Sequence, residues 1–168
     1  MGAVNVLMTV VSLRLLDRVG RRPLLLTGIA GMIVSLGILG FVFHFRNQSA
    51  AFAWMAVVSV MLYVGSFAIS LGPIFWLLIS EIYPLQVRGA AMGVATMANW
   101  GSNLIVALTF LTLVQQIGPA NAFWLYGVIS VGSFVFSYRL VPETKGRTLE
   151  EISEGMERRS RVPQLGAS

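Results

Sequence analysis

The sequence predicts an all-α, polytopic membrane bundle. Three observations carry that prediction: 56% of the residues are hydrophobic and 11% charged, the mean hydropathy is +0.77, and the charges separate long apolar runs instead of mixing with them. A soluble domain carries about 25% charged residues. Between Arg22 and Arg46 lie 23 uncharged residues, between Arg46 and Glu81 there are 34, and between Arg88 and Arg139 there are 50. A spanning helix needs about 20 apolar residues, so the last run holds two crossings. Its polar break, Gln115-Gln116-Ile117-Gly118-Pro119-Ala120-Asn121, supplies the turn.

Taken in order, residues 1–13 are apolar and helix-compatible but rise only about 20 Å at 1.5 Å per residue, so they read as a truncated helix of a larger protein. The basic stretch 14–22 reads as a tight loop, with Gly20 suited to left-handed backbone at a helix end and Pro23 to the first turn of the next helix. A span over 23–43 follows, and its Gly28, Gly31, Gly37 and Gly40 are expected to let helices approach closely. His44 to Ser49 forms the next polar loop, with His44 expected as a solvated residue and Asn47-Gln48-Ser49 as a chance glycosylation tripeptide. The third span, 51–80, is long for one crossing. Gly72-Pro73 inside it marks irregular backbone, which at membrane depth survives only beside protein or a watery cavity. A fourth span over 89–114 opens on Gly89 and Gly93 as a small-residue contact face, and a fifth covers 121–138. Residues 1–140 thus form the membrane bundle and 141–168 a soluble tail. In the tail, Thr148 and Glu151 form a capping box that should start a short helix.

Eleven of the twelve Lys and Arg residues fall on one side of these spans, with only Arg46 on the other, and all seven acidic residues share the majority side. The positive-inside rule makes that side cytoplasmic, so 14–22, 81–88 and the tail face the cytoplasm. Cysteine is absent and His44 is the single histidine. Neither a thiolate metal site nor a cysteine nucleophile can form. No carboxylate pair lies at membrane depth, which argues against an intramembrane enzyme, and no cofactor or metal is expected. The formal charge of +5 sits in short clusters and forms no stripe suited to nucleic acid; the lipid bilayer accounts for it.

Three motifs then converge. Asp17-Arg18-Val19-Gly20-Arg21-Arg22, Glu81-Ile82-Tyr83-Pro84-Leu85-Gln86-Val87-Arg88 and Pro142-Glu143-Thr144-Lys145-Gly146-Arg147-Thr148 resemble, in order and spacing, the C-terminal half of the sugar porter family of the major facilitator superfamily. The resemblance implies a partial C-terminal six-helix bundle, helices eight (in part) to twelve of a twelve-helix plasma-membrane carrier, with the N-terminal half of the same transporter as its partner. It also implies that Asp17, Arg21, Arg22, Glu81 and Arg88 close a cytoplasmic gate through ion pairs that form and break in alternating access. The residues themselves allow a simpler alternative, static pairs that fix loop geometry. Glu81 ends a span at the negative pole of its helix, where it needs cations, and an Arg fork can meet a carboxylate.

The candidate solute site comprises Trp76 and Phe67 on the third span, Asn99, Trp100 and Asn103 on the fourth, and Asn5 on the first helix. An amide both donates and accepts, as a sugar hydroxyl does, and an indole offers an apolar face to a pyranose ring with an N–H at its edge. Asn99 and Asn103, four apart, share one helical face. In sugar porters the positions matching Trp76, Asn99 and Asn103 contact or flank the hexose, and those matching Phe67 and Asn5 lie close by. Ala68 departs from family members that carry an acidic residue there. The alternatives are amides that bond across helices and aromatics that pack or sit in interfacial belts. The expected cargo is a monosaccharide or polyol. Coupling to a co-transported proton and facilitated diffusion both stay open, as do another organic solute and a packing subunit that transports nothing.

Overall fold

The computed structural model describes residues 2–45, 49–83 and 85–141, without the side chains of Leu13, Asp17, Arg18 and Ile82. Arg46, Asn47 and Gln48 of the tripeptide, Pro84 and residues 142–168 with the Thr148–Glu151 capping box lie outside the described residues. Among the described residues every element is an α-helix: α1 (Gly2–Val19), α2 (Arg21–Phe45), α3 (Ala50–Ile69), α4 (Leu71–Ile82), α5 (Leu85–Ile117) and α6 (Pro119–Leu140). Among the described residues four segments are long and apolar enough to cross a membrane: α2, the α3–α4 unit over Ala50–Glu81, α5 and α6.

The expected basic loop at 14–22 is almost entirely helix. Arg14 to Val19 extend α1, because Leu15 and Leu16 continue its packed face and cations suit a helix C-terminus. The turn shrinks to Gly20, whose φ of 102° only glycine adopts cheaply, and Pro23 falls in the first turn of α2. The α5–α6 turn is equally short: Gly118 has φ 82°, donates to the Val114 carbonyl and accepts from Ala122 N–H, and Pro119 opens α6.

α2 is the centre of the bundle. It packs most extensively on α6 and α3, with smaller contacts to α1 and α4, and Leu25, Ile29, Met32, Leu36 and Leu39 recur along its buried surface. A Cβ at Gly28 would overlap the Ser70 side chain, one at Gly31 the Ser66 hydroxyl, and one at Gly40 the Trp124 indole. Those three glycines bring α3 and α6 close, where dispersion and tight fit drive association because lipid is as apolar as leucine. Gly37 differs from the expectation: it faces open space. Leu16, Leu24, Leu25, Ile29, Ile74 and Leu78 form a core joining α1, α2 and α4.

The irregular backbone of the third span sits at Ser70 (φ −113°, ψ −86°), just ahead of Gly72-Pro73, so that Pro73 occupies the first turn of α4, where its missing N–H breaks no bond within that helix. α5 stands apart. Among the described residues it touches only α4 and α6 and buries none of its own, so Gly89 and Gly93, expected at a helix contact, meet nothing within 4 Å.

Candidate functional site

The charged ends of α2 and α4 meet. Arg21 donates through Nη2 at 3.0 Å and Nε at 3.3 Å to one oxygen of Glu81, across 60 positions of sequence. The pair is partly shielded, with 17% and 24% of the side chains exposed, so its attraction lies between the surface and interior limits. Arg22, its neighbour, turns to α6: Nη2 donates to the Tyr138 carbonyl, and the guanidinium lies 5.2 Å from the Tyr138 ring centroid. Arg88 Nε donates to the Tyr83 carbonyl at 3.3 Å, bracing the turn between α4 and α5. The side chain of Asp17 lies outside the described residues. Four residues of the expected gate are thus placed at one end of the bundle, one of them in a direct ion pair with Glu81. Tyr138 joins them unforeseen, since nothing in its sequence context linked α6 to the basic motif.

At membrane depth, Trp76 lies two residues from both Ile74 and Leu78, about 200° around the helix. Those two are buried against α1 and α2, so Trp76 is on the opposite side of α4, half-buried, edge-on to the Phe75 ring at 5.1 Å. On the neighbouring α5, Asn99 is half-buried while Asn103 and Trp100 are exposed. Phe67 is exposed and approaches Gly72 across the break. Asn5 is half-buried on the α1 face that carries Thr9 and Ser12, and its carbonyl accepts the Thr9 hydroxyl at 2.8 Å. Ala68, where some sugar porters carry an acid, is buried, so a larger side chain there would require repacking.

Three cavities are lined by other residues. One of about 750 Å³ opens between the end of α2, the start of α3 and the α5–α6 turn, beside His44, Phe52 and Asn121; His44 is in the last turn of α2, its ring 5.3 Å from Trp124. A second, about 510 Å³, lies along α6 between Ile29 and Ser133. The third, about 330 Å³, is bounded by Tyr63, Phe110, Phe123 and Tyr126. Sequence reasoning also missed Ser12, which bonds to the broken span at Ile69. The available signal was a hydroxyl on the packed face of α1 together with a proline in the third span.

Membrane-length helices, one of them broken and ending in an ion pair, define a polytopic membrane helix bundle. The chain belongs to the family described as sugar (and other) transporter, which matches residues 1–156. It is 47% identical over 152 residues to D-xylose-proton symporter-like 1 of Arabidopsis thaliana, covering 90% of this chain and 30% of that protein. It is 37% identical over 166 residues to the galactose-proton symporter of Escherichia coli strain K12, covering 99% and 36%. Among solved structures, the inward-open xylose transporter XylE from E. coli matches with a TM-score of 0.82 at 36% identity, covering 91% of this chain and 34% of that one. The chain therefore spans about a third of the length of the relatives it matches.

Proposed function

We propose that this bundle is part of a carrier that moves a monosaccharide or polyol across the plasma membrane by alternating access. The observation that carries the reading is the interrupted third span. Its first part packs on α2, and its second presents Trp76 away from that packing and ends in Glu81. Broken helices near the midplane are how secondary transporters build solute sites. In this reading Trp76, Asn99 and Asn103 hold the sugar, with Trp100, Phe67 and Asn5 close by. Asp17, Arg21, Arg22, Glu81 and Arg88 form the cytoplasmic gate. α1 to α6 supply the last five helices of twelve, and a preceding bundle of the same protein completes the path.

The relatives support sugar as cargo and a proton as co-substrate: their names include a galactose-proton symporter and D-xylose-proton symporter-like proteins. Another relative, 40% identical over 153 residues, is a facilitated trehalose transporter of Apis mellifera ligustica, so coupling is decided by experiment. The test is uptake of labelled hexoses, pentoses and polyols by the carrier containing this chain, with and without a protonophore. Saturable uptake of at least one is expected, and abolition by the protonophore assigns proton coupling. Absence of uptake across the panel overturns the sugar reading in favour of another organic solute.

A further inference from the structure

The break in the third span leaves the Ile69 carbonyl without its helical donor. In an uninterrupted helix the Ile69 carbonyl would accept the N–H of residue 73, but residue 73 is proline and has none. At membrane depth no water stands in, so an orphaned carbonyl must find a donor within the protein. The structure supplies one from a different helix: Ser12 Oγ on α1 donates to the Ile69 carbonyl at 2.6 Å, across 57 positions of sequence. Ser12 is fully buried, and so is Ser70, the residue at the break. The Ser70 hydroxyl turns back to the Ser66 carbonyl at 2.8 Å, and on its other side Gly28 of α2 leaves no room for a Cβ. The break is therefore held by a hydrogen bond from α1 and by shape from α2.

We propose that Ser12 is a positioning residue for transport. It pins the third span at the carbonyl that Pro73 orphans, so that α4 turns about Ser70 as one unit carrying Trp76 and Glu81. Ser12 acts through the backbone of Ile69 and need not touch the solute. The kinetic part of this inference rests on the transport reading above.

Pro73→Ala separates the pin from general packing, because the alanine restores a backbone donor that lets the helix close on Ile69 and makes Ser12 dispensable. Ser12→Ala, Pro73→Ala and the double variant are compared in the carrier containing this chain. Ser12→Ala alone is expected to lower maximal uptake about tenfold, the cost of a buried acceptor left unmet, with KM changed less than about twofold because solute contacts are intact. On the Pro73→Ala background, adding Ser12→Ala should change uptake by less than about twofold, since coupled residues are non-additive.

Thermal melting of the purified variants reads the same cycle without any transported solute. A Tm lowered by Ser12→Ala when Pro73 is present, but not on the Pro73→Ala background, supports the pin even if the sugar panel fails. Should Ser12→Ala express too poorly to purify, recovery of the double variant to the level of Pro73→Ala supports the pin, and failure to recover overturns it. Equal losses on both backgrounds overturn it, as does a Ser12→Ala protein unchanged in uptake and melting. A coupled Tm with unaltered uptake per folded molecule overturns the positioning role.

Discussion

Glu81 receives two hydrogen bonds from the Arg21 guanidinium, so replacing its charge tests the proposed gate. Because both side chains keep some exposure, the pair contributes on the order of 1 kcal/mol to stability, and its neutral isostere should still fold. Glu81→Gln is expected to leave surface expression near normal and to lower sugar uptake about tenfold, the scale of a lost charge-assisted hydrogen bond. Uptake at the unaltered rate would reduce the pair to a static brace. That Glu81 needed an arginine was legible in the sequence, since cations are few and clustered. Which arginine it meets was not. Arg21 and Arg22 are adjacent and project about 100° apart on one helix, so the rotation of α2 against α4 and α6 sends one to the carboxylate and the other to Tyr138.

Two glycines of α2 separate packing from composition at the scale of the helix. At Gly28 a methyl group would overlap Ser70, whereas at Gly37 it would meet nothing within 4 Å. Gly28→Ala should therefore destabilise by about 1–3 kcal/mol through overpacking. Gly37→Ala should be neutral or stabilise by about 0.5–1 kcal/mol, because alanine loses less backbone freedom in a helix. Thermal melting in detergent checks both, and a similar Tm shift for the two variants would contradict the placement of α3 against α2. The apolar runs mark where the membrane-length helices lie, but the shortness of the turns was not legible in them, and α1 and α5 run on well past their apolar stretches. Arg14 to Val19 look like a loop by charge, yet they satisfy every requirement of a helix end once Gly20 takes the turn.

Across the whole molecule, the ion pair, the Arg22–Tyr138 contact and the braced turn at Arg88 gather at one end of the bundle. His44 and the Gly118 turn border a cavity elsewhere, at the opposite ends of α2 and α6. If the charged end is cytoplasmic, single cysteines placed at the exposed positions Gln86 and Ala51 should be labelled from opposite sides by a membrane-impermeant thiol reagent. These 168 residues contain no native cysteine, which simplifies the background. In oriented cells Ala51→Cys should react from outside and Gln86→Cys only after permeabilisation. The reverse pattern would invert the orientation that the excess of Lys and Arg implies.

The sequence by itself determined what local chemistry governs: membrane-length apolar runs, a proline that forbids a regular third span, and charges confined to their ends. Those follow from transfer free energies and backbone donors counted along the chain. Tertiary structure decided which groups meet across it. It turned Arg21 to Glu81, placed the break at Ser70 against Gly28, and brought Ser12 to the carbonyl that Pro73 leaves bare. Such pairings depend on the rotation and approach of whole helices, which are set by the joint packing of many side chains and leave little trace in the spacing of any one segment.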